Sequence, residues 1–313
     1  MAKPYDGDWV LRTLLFLPGH VEKMVHKAAS SGADCVVLDL EDAVPHDQKE
    51  AARQSIRGFL GEGLFENRTV FVRINPISSG LTLRDLDGVA CEELHGFVYP
   101  MAHTADDIKK FDAQLSLIES NLELPKGHFS LIVLIETPLA VLNAYEIATA
   151  SDRVVGLLFG CEDYMADMQA RYAELDMPLH TPRSMVAMAS RAAGVEPIDT
   201  PYVRVHDLAG LETFASRARD IGMAGMLVMT PRQIDVANEI YTQTDREIAD
   251  SREIVDAAEN ARKEGRSIVV VNDKFVSPPT LKQAKKVLER VGAIEELVRV
   301  TQKETVLLLT INV

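Results

Sequence analysis

The chain contains few cysteines, and their arrangement excludes two common uses of this residue. Cys35, Cys91 and Cys161 are its only cysteines among 313 residues. They are far apart and odd in number, so they provide neither the CxxC spacing of a zinc site nor a disulfide framework. We therefore expect a protein of the reducing cytoplasm.

A surplus of positive charge and a long hydrophobic run are also missing. The 33 basic residues are outnumbered by 47 acidic ones, which gives a formal net charge of -14. Such a chain repels nucleic-acid phosphates and anionic lipids, and no basic cluster offsets this. The longest apolar runs, such as residues 129–135, are far too short to span a bilayer, and the first ten residues lack the apolar segment of a signal peptide. We expect a soluble protein that binds neither nucleic acid nor membrane.

Short apolar runs alternate with segments of helical spacing along most of the chain, a pattern typical of a parallel sheet. Eight such runs occur, at residues 14–19, 35–42, 69–76, 96–101, 130–137, 154–163, 197–205 and 225–230. The helical segments between them lie at 21–31, 47–60, 104–121, 138–150, 182–193, 208–221 and 231–243, with Pro138, Pro182 and Pro231 at expected helix starts. Eight βα units in this length predict a TIM (β/α)8 barrel rather than a doubly wound sheet.

The last part of the sequence departs from this alternation. It contains a charged helical segment at 246–264, a strand-like run at 267–272 and a second helical segment at about 280–299. We therefore divide the chain into a barrel, residues 1–245, and a C-terminal helical extension, residues 246–313. The extension is too small to be assigned as an independent domain. We expect it to pack on the barrel or on a neighbouring subunit.

Polar residues close several of the apolar runs, where TIM barrels carry their catalytic groups. These residues are Asp39, Glu41, Asp42, Arg73, Asn75, Glu136, Thr137, Glu162, Asp163 and Asp199. A single charge at such a position is more often a helix cap or an ion-pair partner. Several acids at one barrel end repel one another unless cations neutralise them, and hard oxygen ligands suit Mg²⁺.

Glu136 and Asp163 form the sharpest pair, because the sequence places them at the ends of neighbouring strands, with Arg73 facing them. A divalent ion held by two carboxylates has open positions that can chelate a substrate carboxylate together with an adjacent hydroxyl or carbonyl oxygen. An arginine stabilises a developing enolate or alkoxide oxygen. This set of residues predicts cleavage or formation of a carbon–carbon bond beside a carbonyl.

Several motifs in this order resemble the citrate lyase β-chain-like branch of the HpcH/HpaI aldolase superfamily. They are RTLLFLPG at 12–19, LDLEDAV at 38–44, VRINP at 72–76, IETP at 135–138, FGCEDYMAD at 159–167, DTP at 199–201 and the block at 222–238. The resemblance implies a Mg²⁺-dependent TIM barrel, commonly a homotrimer or homohexamer, that acts on CoA thioesters and 2-oxo acids.

The same resemblance assigns roles to individual positions. Glu136 and Asp163 look like the metal ligands, and Arg73 like the substrate-binding arginine. Asp39, Glu41 and Asp42 resemble groups that surround the metal ligands and hold its waters, whereas Phe16 and Lys27 resemble positions near the thioester end of the substrate. We take Arg73, Glu136 and Asp163 as the catalytic residues, and Arg73, Glu136, Phe16 and Lys27 as substrate-binding.

The chain departs from the family pattern at four places. Val21 replaces an arginine that often follows the PG turn, and Met101 replaces the lysine of a Pro-Lys pair. Met229-Thr230-Pro231 stands where an IHP-like motif is usual. Ser277 aligns with an aspartate of the malyl-CoA lyases that exchanges a proton with the acetyl group, although Asp273 is close in sequence.

These observations favour a Mg²⁺-dependent lyase that cleaves a β-hydroxyacyl-CoA of the malyl-CoA or citramalyl-CoA type to acetyl-CoA and a 2-oxo acid. Three alternatives stay open. They are a malyl-CoA-type thioesterase, a citryl-ACP lyase β subunit and a catalytically silent acyl-CoA-binding homologue.

Overall fold

The structure is a computed structural model that describes residues 8–171, 176–264, 270–272 and 274–311. Asp273 lies outside the described residues. Eight parallel strands close into a barrel in sequence order, with β1 paired to both β2 and β8. The strands are β1 Thr13–Pro18, β2 Cys35–Asp39, β3 Thr69–Arg73, β4 Gly96–Tyr99, β5 Ser130–Ile135, β6 Val154–Phe159, β7 Glu196–Asp199 and β8 Gly225–Val228. The predicted TIM barrel is confirmed.

Helices follow the strands and surround the barrel, as binary patterning predicts. Ten of the described α-helices belong to the barrel: α1 Glu22–Ala29, α2 Lys49–Gly61, α3 Thr82–Val89, α4 Ala105–Asn121, α5 Pro138–Leu142, α6 Ala144–Ala148, α7 Cys161–Asp167, α8 Met177–Ala193, α9 Leu208–Asp220 and α10 Pro231–Tyr241. Two short 3₁₀ helices, His46–Gln48 and Ile77–Ser79, precede α2 and α3. Buried aliphatic and aromatic side chains fill the layer between strands and helices.

Local sequence determines several helix starts. Thr104 and Asp107 form a capping box at the start of α4, and Thr137 caps α5, where Pro138 is the first residue. The predicted start at Pro182 is wrong, because α8 begins at Met177 and contains Pro182 in its interior. An earlier proline, Pro178, lies in the first turn of α8, where a missing N–H costs nothing. Two short helices, α3 and α7, were not predicted.

The described chain divides into two compact units. One contains the barrel, residues 11–241; the other contains residues 8–10 together with the segment that follows residue 241. The second unit consists of α11 Asp245–Lys263, a hairpin of β9 Val270–Val271 and β10 Lys274–Phe275, and α12 Pro278–Ile311. Within it, Val10 packs against Ala293, Ile294 and Leu297, and Arg290 donates a hydrogen bond to the Trp9 carbonyl at 2.6 Å.

None of the described helices is long and apolar enough to cross a bilayer. The three cysteines are buried free thiols. Burial raises the pKa of the Cys91 thiol to about 11 and that of Cys35 above its usual range, so both stay protonated at neutral pH.

Candidate active site at the carboxyl end of the barrel

The register of the barrel sets Asp39 directly opposite Arg73. These residues end β2 and β3 and are paired across the two strands. Arg73 donates from Nε to Asp39 Oδ1 at 2.7 Å and from Nη2 to Asp39 Oδ2 at 2.6 Å. Such a fork-to-fork pair fixes the plane of the guanidinium. Asp39 is 2% exposed, so this ion pair is largely sheltered from water.

The remaining side of the guanidinium faces two further acids. Arg73 Nη1 lies 2.8 Å from Glu41 Oε2 and 3.4 Å from Asp42 Oδ2, and its carbon centre lies 5.6 Å from the centroid of the Phe16 ring. Burial, ahead of the neighbouring acids, raises the pKa of Glu41 to about 8, and Arg73 opposes that rise. Phe16 therefore contacts the arginine that it was predicted to accompany in substrate binding.

A tight turn after β2 carries Glu41 and Asp42, which the sequence had placed within the strand. The main-chain N–H of Glu41 donates to Asp39 Oδ1 at 2.9 Å, and that of Ala43 donates to Oδ2 at 3.1 Å. Asp39 thus binds both its own turn and Arg73, which couples the position of the turn to that of the guanidinium.

Glu136 follows β5 and is 4% exposed. Its Oε1 accepts the main-chain N–H of Met101 at 2.6 Å. Met101 has a φ of 52°, a left-handed conformation that costs a non-glycine residue about 1–2 kcal/mol. Burial raises the pKa of Glu136 to about 7, with a further rise from Asp163 and opposition from Met101 and Arg73.

Asp163 lies in the first turn of α7 rather than in strand six, because β6 ends at Phe159. This position corrects the predicted strand end for Glu162 and Asp163. It still brings Asp163 to the same end of the barrel, where burial first, and then the charge of Asp42, raise the pKa of Asp163. We call Asp39, Glu41, Asp42, Glu136 and Asp163 the acidic cluster.

Gly160 separates β6 from α7 and leaves room beside Glu136. A Cβ at this position would lie 2.7 Å from Glu136 Cβ and 3.0 Å from Glu136 Oε2. The Glu136 carboxylate therefore has one oxygen bonded to a main-chain N–H and the other close to the Gly160 main chain.

Replacing Gly160 with alanine should displace the Glu136 carboxylate while leaving the barrel folded. Because Glu136 is a predicted metal ligand, we expect Mn²⁺ affinity to fall about 10–100-fold, the effect of changes that misorient a ligand. The matched control is Gly58→Ala, because a Cβ at Gly58 in α2 meets nothing within 4 Å. Electron paramagnetic resonance of Mn²⁺ compares the two variants, and equal affinities would contradict the role of Gly160.

The acidic cluster fits a hard divalent cation in its donor chemistry. The charge of Asp163 adds to the raised pKa of Glu136, and a divalent ion bound near such carboxylates would relieve this repulsion. Within the described ranges, no three His, Cys, Asp or Glu side chains converge into a complete metal site.

Other predicted residues lie in different settings. Lys27 is exposed in the last turn of α1, and its role at the thioester end stays a prediction. Ser277 precedes α12, where its Oγ lies 2.8 Å from Thr280 Oγ1 and accepts the Thr280 N–H at 3.3 Å. Ser277 thus acts as a helix cap. Asp199 forms a buried ion pair with Arg183.

Sequence reasoning missed two groups at this site. One is the Met101 N–H, which no side-chain motif can reveal because any residue supplies it. The other is Lys49, which contacts the turn after β2 and which the sequence placed only within the helical segment 47–60.

Comparison with known proteins places these observations in context. The sequence profile of the family described as HpcH/HpaI aldolase/citrate lyase matches residues 12–231. The citrate lyase subunit beta of Escherichia coli K12 is 32% identical over 279 residues, which cover 89% of this chain and 92% of that protein.

Two further relatives act on malyl-CoA according to their names. An L-malyl-CoA/beta-methylmalyl-CoA lyase of Rhodobacter capsulatus is 31% identical, with 89% of this chain and 94% of that protein covered. A (3S)-malyl-CoA thioesterase of Cereibacter sphaeroides is 30% identical, with coverages of 90% and 95%.

A solved structure agrees with the sequence comparisons. The protein CitE from Mycobacterium tuberculosis, in complex with magnesium, acetoacetate and coenzyme A, is 27% identical and has a TM-score of 0.71. The match covers 90% of this chain and 98% of that one.

Proposed function

This chain belongs to the HpcH/HpaI aldolase/citrate lyase family, a family of lyases, and we propose that it is a Mg²⁺-dependent carbon–carbon lyase acting on a β-hydroxyacyl-CoA. The preferred substrates are of the malyl-CoA or citramalyl-CoA type, and the products are acetyl-CoA and a 2-oxo acid. The observation that carries the proposal is the set of charged side chains at the carboxyl end of the barrel: Arg73, bonded to Asp39 and Glu41, with Glu136 after β5 and Asp163 in the first turn of α7.

In this proposal Glu136 and Asp163 hold the cation. Bound there, Mg²⁺ supplies Lewis-acid polarisation of the substrate oxygens. Support comes from the position of Glu136 Oε2 beside Gly160, where no side chain intervenes, and from the magnesium named with the related CitE structure. Glu41 and Asp42 add negative charge around the ligands.

Arg73 orients and stabilises the reacting thioester. Its bidentate bond to Asp39 fixes the plane of the guanidinium, so a substrate oxygen that approaches Nη1 beside Glu41 would meet an oriented donor. In the retro-Claisen step the carbon–carbon bond breaks and its electron pair forms the thioester enolate, while the hydroxyl loses its proton and becomes the carbonyl of the 2-oxo acid. Arg73 favours the charge on the enolate oxygen, and protonation of the enolate carbon yields acetyl-CoA.

Thioester hydrolysis is the second candidate outcome. The thioesterase relative is 30% identical, nearly as similar as the lyase relative. In addition, Ser277 stands where the malyl-CoA lyases have the aspartate that exchanges a proton with the acetyl group, and here it caps α12 instead. Malyl-CoA would then yield malate and free CoA. A citryl-ACP lyase β subunit keeps the support of the citrate lyase relatives.

A panel of thioesters tests these proposals directly. The purified protein is incubated with malyl-, methylmalyl-, citramalyl- and citryl-CoA, with and without Mg²⁺, and keto acid and free thiol are measured separately. We expect Mg²⁺-dependent keto acid with at least one substrate. Thiol without keto acid would replace the lyase by the thioesterase, and silence across the panel would favour another acyl carrier or a silent homologue.

Location and assembly complete the proposal. The free thiols of all three cysteines support a reducing, cytoplasmic location. We propose a homotrimer or homohexamer, as the family resemblance implies. Light scattering on a sizing column tests this, and a monomer would contradict it.

A further inference from the structure

A buried lysine contacts the turn that carries Glu41 and Asp42. Lys49, the first residue of α2, is 8% exposed. Its Nζ donates to the main-chain carbonyls of Leu40 and Glu41, each at 2.6 Å. Both acceptors belong to the turn that follows β2, so a single ammonium group joins two consecutive peptide units.

A second set of contacts fixes the same turn from β3 and α3. Asn75 Nδ2 donates to the Leu40 carbonyl at 3.1 Å and to Asp85 Oδ2 at 2.7 Å. Asp85 is fully buried and also accepts from Arg53 Nε at 2.8 Å. The Leu40 carbonyl therefore lies between two donors, and one of them is itself tied to a buried ion pair.

The choice of lysine here is costly for stability alone. Removing an ammonium group from water costs several kcal/mol, and an apolar residue of similar volume often serves a buried position as well or better. Burial lowers the pKa of Lys49, whereas the negative charges of Asp39, Asp85 and Glu41 oppose that shift. A buried lysine that donates to main-chain carbonyls is thus explained by the need to hold this turn.

Arg73 and Lys49 bind the turn in complementary ways. Arg73 contacts the carboxylates of Glu41 and Asp42, and Lys49 contacts the peptide carbonyls of Leu40 and Glu41. The side chains of an acidic turn repel one another, so a fixed main chain limits where the two carboxylates can move.

We propose that Lys49 is a positioning residue that fixes the main chain of residues 40–42 and thereby presents the Glu41 and Asp42 carboxylates to Arg73 and to the cation that Glu136 and Asp163 would hold. The inference rests on the proposed function, because the site that Lys49 orders is the proposed lyase site.

Lys49→Met tests the inference with little risk to the fold. The Leu40 carbonyl keeps its bond from Asn75, and the Glu41 carbonyl keeps the Val44 N–H at 3.1 Å. Methionine is also close to the lysine stem in volume. Lys49→Arg restores two donors, and Lys110→Met, on the exposed face of α4, is the matched control.

The first measurement needs neither metal nor substrate. Phenylglyoxal modifies exposed guanidinium groups, and peptide mass spectrometry gives the rate at Arg73. We expect a several-fold faster reaction in Lys49→Met than in the parent, because Glu41 and Asp42 no longer stay over Nη1. We expect no change in Lys110→Met and an intermediate rate in Lys49→Arg.

The second measurement separates positioning from general stability. With the substrate identified by the thioester panel, Lys49→Met should lower kcat about 10–100-fold with little change in KM, and Mn²⁺ affinity should fall by a similar factor. Lys49→Arg should regain part of both. A merely structural lysine would lower the melting temperature and leave these parameters at the parent values.

The outcomes decide the inference separately from the proposed function. If Lys49→Met matches Lys110→Met in Arg73 reactivity, the inference is overturned, whatever the enzyme assays give. If the parent turns over no thioester, a faster Arg73 reaction still supports the positioning role. Should circular dichroism show that Lys49→Met does not fold, Lys49→Gln, which keeps one donor, takes its place in the same comparison.

Discussion

Replacing Glu136 with glutamine should abolish Mg²⁺-dependent turnover while leaving the metal-free barrel folded. Glutamine keeps the size of the side chain and an oxygen for the Met101 N–H, but it lacks the charge that binds the cation. We expect kcat/KM to fall about a thousandfold, the scale of a lost Lewis acid worth several kcal/mol. Mn²⁺ binding should be lost in parallel.

The same substitution should change how stability depends on pH in the metal-free protein. The folded pKa of Glu136, about 7, lies above the value near 4.5 of an ordinary glutamate. Its contribution to stability is therefore complete below about pH 4.5 and is lost as the pH rises through 7. Because glutamine does not titrate, Glu136→Gln should gain on the parent by up to about 3 kcal/mol between pH 4.5 and 8.

Urea unfolding in the presence of EDTA at several pH values measures this difference. Glu162→Gln is the matched control, since Glu162 is exposed in α7 next to Asp163. It should leave activity and the pH dependence close to those of the parent. Retained Mg²⁺-dependent activity in Glu136→Gln would remove the metal assignment, and a difference that does not vary with pH would contradict the effect of burial.

Arg73→Met should lose both activity and stability. It leaves Asp39, 2% exposed, without the two donors that neutralise it, and breaking a buried pair in this way costs about 3–5 kcal/mol. Loss of the oriented donor should also lower kcat about 10²–10³-fold. Thermal and urea unfolding give the first quantity, and steady-state kinetics give the second.

Two companion variants separate these effects. Arg73→Lys keeps a positive charge but cannot form both bonds to Asp39, so it should regain some stability and little activity. Asp39→Asn combined with Arg73→Met removes the uncompensated charge and should restore part of the stability without restoring turnover. If Arg73→Met retains the parent's unfolding free energy, the pair with Asp39 contributes less than its geometry implies.

The barrel could be predicted because strand periodicity and chain length constrain it together. All eight apolar runs became strands in the expected order, although several ended earlier than expected. β6 ends at Phe159 because Gly160 begins the turn into α7, so Asp163 reaches the site from a helix. Apolar patterning marks what is buried, and it does not mark where a strand gives way to a helix with the same buried face.

The acidic cluster could be predicted from residue types, whereas the contacts that hold it could not. Asp39 and Arg73 lie at corresponding strand ends, so their pairing follows from the register. The Met101 N–H bond depends on a left-handed main-chain angle that its side chain does not favour. The contacts of Lys49 depend on the directions of two main-chain carbonyl groups. The tertiary structure sets these directions, and the local sequence does not reveal them.

The pairing of residues 8–10 with α12 has a consequence for the order of folding during synthesis. Arg290 and Trp9 are separated by 281 positions, and the cluster of Val10 with Ala293, Ile294 and Leu297 spans a similar separation. On the ribosome this cluster cannot form until α12 has left the exit tunnel, whereas contacts within the barrel segment become available earlier. Closing so long a loop is entropically costly and slow, so we expect the second unit to be the last part of the nascent chain to resist proteolysis.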